Sequence, residues 1–378
     1  MRKSKLPNVT DSIFTTMSVL SHEHNALNLS QGFPNFPVDP ALKELIIKAI
    51  HDDKNQYAPM AGLMSLRAAI SNMTRHQHEV FYHPENEICL TAGATQGIFT
   101  AIQAVIHSGD EVIVFTPAYD CYVPAIELAG GKVVEISMNL PEFTIDWQEV
   151  IDKVTSKTKM IMINSPHNPS GNMLTYEDMI QLEKIVVEND LLLLSDEVYE
   201  HISFDGKEHL SAARYEGLRE RSFITGSFGK TFHVTGWKMG YCLAPKHLME
   251  EFYKVHQYVV YCVNHPVQDA IANYLSQPKR YTELGSFYQH KRDLFLSLIK
   301  DSKFNFKPAH GSYFQLLDYS KITDENDVDF ARRLTMEHKI ASIPISVFMN
   351  GRDPKMLRFC FAKKDEEIIK AAKILNSL

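Results

Sequence analysis

The stretch ITGSFGKTFH (residues 224–233) places a lysine among glycine, serine and threonine, directly after a short apolar run. Its central part, GSFGKT, matches the end of the phosphate-binding P-loop, G-x-x-x-x-G-K-[ST]. That motif requires a glycine at position 224, where this chain has Ile224. A β-branched residue cannot make the tight backbone turn for which the first glycine is needed. The spacing therefore argues against a nucleotide-binding loop, and Lys230 needs another explanation.

The composition is that of an acidic globular protein with room for more than one domain. The chain has 378 residues, of which 44% are hydrophobic and 22% charged, and its net charge is −7. A single core seldom grows beyond ~250–300 residues, so we expect about two domains. The negative net charge argues against nucleic acid or an anionic membrane as the main partner.

Targeting signals and metal-binding patterns are both missing from the sequence. The N-terminal MRKSKLPNVTDSIF lacks the apolar region of a secretory signal, and no apolar run approaches the ~20 residues that span a bilayer. Five scattered cysteines without a CxxC pair fit a reducing cytoplasm. The close pairs His22/His24 and His76/His78 lie in polar stretches and lack HExxH spacing. We therefore predict a cytoplasmic protein without a metal site.

Short apolar runs alternate with helical stretches over most of the chain. Seven runs are typical of strands: 87–93, 110–117, 131–138, 159–166, 191–197, 222–227 and 239–245. Helices are predicted over 94–109, with a glycine cap at its end, over 121–131, and over 174–190, with Thr175 as the N-cap. Buried strands that alternate with helices predict an α/β fold whose sheet is mostly parallel and covered on both faces.

The pattern changes near residue 280. A long helix over 278–302 leads into an apolar segment at 306–319, and two further strand-like segments, 339–348 and 355–364, precede a final helix. This order is typical of a smaller α+β unit. We predict a large domain over 41–280, and a small domain formed by 281–378 together with an N-terminal arm, 1–40.

Candidate ligand-binding residues follow the carboxyl ends of the predicted strands, where ligands of open parallel sheets bind. They are Gly93, Ala94, Thr95, Tyr119, Asn168, Asp196, Tyr199, Ser227, Lys230 and Lys238. A helix N-terminus suits a phosphate, an aromatic ring offers a stacking face, a carboxylate can keep a pyridine nitrogen protonated, and a lysine can form a Schiff base. One cofactor needs all four features, and it is pyridoxal phosphate.

Several longer motifs carry a resemblance to a known family. The segments SPHNPSG (165–171), SDEVYEH (195–201) and SFGKTFHVTGWKMGY (227–241) resemble those of the fold-type I, class I aminotransferases. The subgroup of kynurenine, glutamine and bacterial methionine aminotransferases is similar at LSQGFPNFPVDP (29–40), NQYAPMAG (55–62), VHQY (255–258) and MLRFCFAKK (356–364). This resemblance runs over essentially the whole chain. It implies a large pyridoxal-phosphate domain with a mostly parallel sheet and a smaller α+β domain.

The resemblance also implies a role for each cofactor contact. Lys230 would form the Schiff base and then shuttle the proton, and Asp196 would pair with the pyridinium nitrogen. Asn168 and Tyr199 would bond the ring hydroxyl, and Tyr119, where kynurenine-type relatives usually have phenylalanine, would stack on the ring. The implied phosphate ligands are Gly93, Ala94, Thr95, Ser227 and Lys238.

The implied substrate contacts come from the two ends of the chain. Arg358 would bind the substrate α-carboxylate, assisted by the backbone of Gly32 and the side chain of Asn168. Phe14 would lie in the substrate pocket, at a position where relatives often carry tryptophan. Tyr57 would reach the phosphate of the neighbouring subunit, which implies a homodimer with shared active sites.

Taken singly, these residues also have plainer interpretations. Asp196 could cap a helix, Asn168 could be a turn residue, and Arg358 could lie on the surface. Tyr119 alone could be a packing residue, and Tyr313 in HGSYF could either line the pocket or pack. Only the whole constellation favours the catalytic interpretation.

The expected activity is ping-pong transfer of an amino group from a large uncharged, sulfur-containing or aromatic amino acid to a 2-oxo acid. Methionine, aromatic amino acids, glutamine and kynurenine are the expected donors. Aspartate is not, because no second arginine has a motif context that marks it as a reader of a distal carboxylate. A C–S β-lyase acting on cysteine conjugates would use the same fold and cofactor. A non-enzymatic regulator is a third possibility, against which the complete set of catalytic residues argues.

Overall fold

The structure, a computed structural model, describes residues 4–7, 9 and 11–378. In this part of the chain the strands are β1 (Leu27–Asn28), β2 (Ile88–Thr91), β3 (Glu111–Thr116), β4 (Lys132–Ser137), β5 (Thr158–Asn164), β6 (Leu192–Asp196), β7 (Ser222–Ser227), β8 (Gly240–Leu243), β9 (Phe314–Asp318), β10 (Ile340–Ala341), β11 (Ile343–Pro344) and β12 (Met356–Cys360).

The α-helices lie before, between and after these strands along the chain. They are α1 (Ile13–Glu23), α2 (Pro40–His51), α3 (Met64–His78), α4 (Ala94–Val105), α5 (Tyr122–Leu128), α6 (Trp147–Lys153), α7 (Tyr176–Glu188), α8 (Glu216–Arg219), α9 (Phe228–Thr231), α10 (Lys246–Val259), α11 (His265–Tyr274), α12 (Lys279–Thr282), α13 (Leu284–Ile299), α14 (Asp327–Met336) and α15 (Asp365–Asn376). Among the helices of the described residues, none has the length and hydropathy that crossing a membrane requires.

Seven strands form one mixed sheet in the order β2-β8-β7-β6-β5-β3-β4. Within the series β7-β6-β5-β3-β4, each strand is parallel to its neighbours. β8, by contrast, is antiparallel to both β2 and β7. The predicted mostly parallel sheet is thus confirmed. The reversal of β8 pairs Gly240 with Ser227, so the residues just before β8 lie at the carboxyl edge of β7.

Both faces of this sheet are buried, as continuous apolar strands require. In β6, Leu193 packs in one hydrophobic cluster and its neighbour Leu194 in the other, because successive side chains point to opposite faces. One of the helices that cover the sheet, α7, begins at its predicted cap residue. Thr175 caps α7 through its side chain, and Asp178 returns a bond to the cap residue, which completes a capping box.

Two predicted helices end differently in the structure. The helix expected to run to Gly109 stops at Val105, since Ile106 is extended and buried, and the glycine is used in the following turn at φ +93°. The long helix predicted over 278–302 is divided into α12 and α13, with Glu283 between them.

A second, antiparallel sheet has the order β11-β12-β9. Arg358 lies at the centre of β12, where its backbone pairs with Ile343 on one side and Leu316 on the other. β1 pairs in parallel with β10, so the N-terminal segment lies beside the C-terminal part of the chain. The domain boundaries at residues 40 and 280 stay a prediction.

Candidate active site

The carboxyl edge of the large sheet opens into a cavity of about 320 Å³. Thirteen of the fourteen residues proposed from the sequence line it: Phe14, Gly32, Gly93, Ala94, Thr95, Tyr119, Asn168, Asp196, Tyr199, Ser227, Lys230, Lys238 and Arg358. The remaining one, Tyr57, lies elsewhere on the surface, 82% exposed, with its ring 5.4 Å from that of Tyr261. One chain therefore brings together all of the proposed site except Tyr57.

Lys230 lies on α9, a single helical turn that follows directly on β7. Its Nζ donates to the hydroxyl of Tyr313 at 3.0 Å and to the carbonyl of Gly32 at 3.3 Å. Burial lowers the pKa of Lys230 to about 8, and the nearby Arg358 guanidinium acts in the same direction. An appreciable fraction of the amine is therefore unprotonated near neutral pH, as a nucleophile requires.

Asp196 is the last residue of β6 and is buried. The hydroxyl of Tyr122 donates to its Oδ2 at 2.6 Å, while the backbone N–H of Val198 approaches Oδ1 only at 3.4 Å. Burial raises the pKa of Asp196 from 3.8 to about 6, against the lowering effect of the Tyr122 hydrogen bond. A buried carboxylate with one weakly bonded oxygen is suited to a cationic partner in the cavity.

The N-terminus of α4 forms one end of the cavity. Gly93 precedes it at φ +77°, and a Cβ at this position would lie 3.3 Å from the Nζ of Lys238. The N–H groups of the first helical turn have no acceptor within the helix, and the helix dipole favours an anion there. Ser227 ends β7 beside them. These groups form a cradle that a phosphate fits and that any side chain at position 93 would obstruct.

Arg358 is 1% exposed, so the surface interpretation of this arginine is wrong. Its Nη1 donates to Oδ1 of Asn168 at 2.7 Å and its Nη2 to the carbonyl of Ser30 at 2.9 Å. The guanidinium carbon lies 3.9 Å from the ring centroid of Phe314. These contacts fix the plane of the guanidinium, which also forms part of the cavity wall.

The N-terminal segment closes the cavity on the side of Arg358. The ring centroid of Phe14 lies 5.2 Å from the guanidinium carbon. Gln31 holds α1 in place, since its side-chain amide donates to the carbonyl of Phe14 and to the hydroxyl of Ser18. Gly32 is packed against Phe314, where a Cβ would approach the ring to 2.7 Å. The glycine therefore lets the chain pass close to the site.

Sequence reasoning missed several residues that contribute to this geometry. Tyr122 bonds Asp196, and Asn164 joins two site residues: its Nδ2 donates to the carbonyl of Asp196 and its Oδ1 accepts the backbone N–H of Asn168, both at 2.8 Å. Asn164 is the last residue of β5, so its position at a strand end was a usable signal. Tyr122 is the first residue of α5, and nothing in its local sequence distinguishes it from a packing residue.

The groups in the cavity fit pyridoxal phosphate. The cradle at Gly93 suits its phosphate, and the buried carboxylate of Asp196 suits a protonated ring nitrogen. Lys230 supplies an amine whose pKa is low enough for attachment to an aldehyde. Residues of the large sheet would therefore hold the cofactor, while Arg358 is contributed by the small sheet.

Comparison with known proteins agrees with this chemistry. Residues 24–375 match the family described as aminotransferase class I and II. The chain is 42% identical to methionine aminotransferase of Escherichia coli (strain K12), over all of this chain and 98% of that protein. It is 33% identical to kynurenine–oxoglutarate transaminase 3 of Homo sapiens, over 99% of this chain and 90% of that protein.

Solved structures give the same result. The structure of YbdL from Escherichia coli, identified as having a methionine aminotransferase function, matches with a TM-score of 0.98 at 42% identity, over 100% of both chains. N-succinyldiaminopimelate aminotransferase from Mycobacterium tuberculosis matches with a TM-score of 0.95 at 31% identity, also over 100% of both chains. With a family match that spans nearly its whole length, the chain belongs to the class I and II aminotransferases and works with pyridoxal phosphate.

Proposed function

We propose that this aminotransferase takes its amino group from large uncharged donors, above all methionine-like and aromatic amino acids, with glutamine and kynurenine as further candidates. The supporting observation is the set of cations in the cavity. Among the lining residues of the described chain, these are Lys230, Lys238 and Arg358, and each has a proposed partner in the cofactor or the substrate α-carboxylate. Among the described residues that line the cavity, no further cation is left for a second carboxylate.

The cofactor, when bound, supplies an aldehyde for attachment and a ring that draws electrons from the substrate Cα–H bond. Lys230 would hold the aldehyde, and its free amine would take the proton from the donor Cα. Asp196 would keep the ring nitrogen charged, and Asn168 and Tyr199 would bind the ring hydroxyl. Tyr119 would stack on the ring. The same residues act in reverse on the 2-oxo acid, which predicts ping-pong kinetics.

Arg358 orients the donor by its α-carboxylate. A guanidinium presents two parallel N–H groups that match the two carboxylate oxygens. Phe14 and Phe314 lie against this arginine, and both present apolar surface to the donor side chain. An acidic side chain would lose its hydration there without gaining an ion pair, which costs several kcal/mol for a buried unpaired charge.

A panel of amino donors at a fixed 2-oxo acid tests the proposed function. We expect kcat/KM for methionine, phenylalanine, glutamine or kynurenine to exceed that for aspartate at least tenfold, since ~1.4 kcal/mol of lost charge pairing suffices for that ratio. Release of ammonia and pyruvate from a cysteine conjugate, measured in parallel, reports β-lyase activity. Aspartate as the best donor, or ammonia release without transfer, would refute the proposal.

Replacing Asp196 by asparagine separates its catalytic role from a structural one. The substitution keeps the shape but removes a charge-assisted hydrogen bond of ~1.5–3 kcal/mol, so kcat should fall about 10- to 150-fold. Cofactor binding should survive better than catalysis. A helix-capping role would instead give normal kinetics and a less stable protein.

The raised pKa of Asp196 adds a prediction for the stability of the cofactor-free protein. A carboxyl with a pKa of about 6 in the fold and 3.8 when unfolded destabilises the fold fully above pH 6 and not at all below pH 3.8. At pH 7.5 Asp196→Asn should therefore unfold at higher urea concentration than wild type, by up to about 3 kcal/mol in unfolding free energy. The difference should shrink as the pH falls towards 4.5.

We further propose a homodimer in which Tyr57 serves the neighbouring active site. Tyr57, Tyr258 and Tyr261 are exposed aromatic residues, with Tyr258 at 86%, and exposed aromatic surface of this kind marks interfaces. Residues 1–40 and 281–378 are proposed to form the small domain, which the pairing of β1 with β10 supports.

Mixed dimers test the shared site. Differently tagged Tyr57→Phe and Lys230→Ala subunits are co-expressed, and the heterodimer is purified through both tags. If Tyr57 crosses the interface, one site carries both substitutions and the other is wild type, so activity should be about half that of the wild-type dimer. Activity no higher than half that of the Tyr57→Phe homodimer would mean that Tyr57 acts in its own subunit.

A further inference from the structure

We infer that Tyr313 is a positioning residue. It holds the free amine of Lys230 close to the carbonyl of Gly32 whenever the lysine is not attached to the cofactor. This inference rests on the proposed role of Lys230 and adds a residue that the sequence motifs do not assign.

The contacts of Tyr313 carry the inference. Its side chain is fully buried, and its hydroxyl donates to the carbonyl of Gly32 at 2.5 Å. The same hydroxyl accepts a hydrogen bond from the Nζ of Lys230 at 3.0 Å, and that amine also donates to Gly32 at 3.3 Å. The amine, the phenol and the carbonyl therefore form a closed triangle.

The surroundings of Tyr313 make its hydroxyl a fixed point. Its ring packs against those of Tyr199, Tyr288 and Phe314, with centroids 5.1, 5.6 and 4.9 Å away. Lysine, by contrast, ends a flexible four-carbon chain that loses rotamer entropy when it is ordered. A rigid acceptor at 3.0 Å reduces the number of positions that the freed amine can take, and so favours its return to the reacting atoms.

The triangle also joins the two halves of the site. Gly32 lines the cavity together with Phe14 and Gln31, whereas Lys230 lies in the turn after β7. A hydroxyl that bonds both of them sets the distance between Lys230, the proposed proton carrier, and Gly32, a proposed substrate contact. A phenylalanine at position 313 would keep the packing and lose this connection.

Tyr313→Phe, with Tyr288→Phe as the matched control, tests the inference. Tyr288 is also buried, packs against Tyr313, and has a hydroxyl without a hydrogen-bond partner among the described residues. Removing that hydroxyl should leave the behaviour of Lys230 unchanged. Both variants lose one oxygen atom from the same aromatic cluster, so a general packing effect would appear in both.

The first readout uses cofactor-free protein and does not depend on turnover. Labelling of Lys230 by acetic anhydride is followed by peptide mass spectrometry between pH 6 and 10, and the midpoint reports the pKa of the amine. The groups that face this amine are Asp196 on β6, Arg358 and Cys360 on β12, Lys238 before β8, and the rings of Tyr199 and Tyr313. Because Tyr313 accepts a bond from the charged amine, its loss should lower the midpoint by about one pH unit.

The second readout is steady-state kinetics of the holoenzyme. Tyr313→Phe should lower kcat about tenfold with little change in KM, since the amine is less well placed but the substrate contacts remain. An unchanged labelling midpoint together with an unchanged kcat would overturn the inference. Failure of the proposed function is distinguishable, because borohydride would then fix the cofactor to a residue other than Lys230 in the wild-type protein.

Discussion

Lys230→Ala is expected to abolish nearly all transaminase activity. Loss of a general acid/base costs on the order of 10²–10⁴ in rate, and the loss here should exceed that range because the attachment point of the cofactor is removed as well. The structure places no other lysine of the described chain in the cavity except Lys238, which lies in the proposed phosphate cradle beside Gly93. We therefore expect no substitute amine.

Borohydride reduction gives the measurement and its control. In the wild-type enzyme the cofactor should become fixed to the peptide that contains Lys230, and in Lys230→Ala no peptide should carry it. Lys238→Ala removes a second cation of the same cavity, so it should weaken cofactor affinity but still give the fixed adduct at saturating cofactor. Wild-type turnover by Lys230→Ala would show that another residue carries the proton.

Much of this site could be predicted because its residues follow the ends of neighbouring strands. Asp196, Ser227 and Asn168 are far apart in sequence, yet the parallel pairing of β5, β6 and β7 fixes their proximity. Gly93 is placed by the same edge, because β2 enters α4 there. The order of the strands does not need to be known for this argument. The carboxyl ends of parallel strands share one edge in any order.

The hydroxyl partners of two tyrosines depend on contacts between elements that no local pattern specifies. Tyr122, which was missed, reaches Asp196 across 74 positions, and Tyr313, for which lining the pocket and packing were both open, reaches Lys230 across 83. A tyrosine in an apolar stretch predicts burial, but the partner of its hydroxyl is set by how the two elements pack. The same holds for the end of α4, where the burial of Ile106 overrides the glycine cap expected at Gly109.

Arg358→Ala is expected to lower kcat/KM for every amino donor by a similar factor. Truncating one partner of a buried, hydrogen-bonded charge pair costs about 2–5 kcal/mol, which corresponds to roughly 30- to 4,000-fold at 1.4 kcal/mol per decade. The guanidinium is already oriented by Asn168 and Ser30, so it needs no rearrangement to bind the α-carboxylate. All donors share that carboxylate, and the loss should therefore not depend on the side chain.

Two further variants separate the α-carboxylate contact from the side-chain pocket. Arg358→Lys keeps the charge but not the planar fork, so it should recover only part of the loss. Phe14→Leu changes apolar surface beside the same guanidinium, and should alter the ratio between aromatic and aliphatic donors instead of lowering all of them equally. Thermal unfolding of each variant checks that the fold is retained, which matters because Arg358 is buried in β12. If the folded Arg358→Ala enzyme lost activity towards some donors and kept it towards others, the arginine would be reading a side chain, and the assignment of the α-carboxylate to it would be wrong.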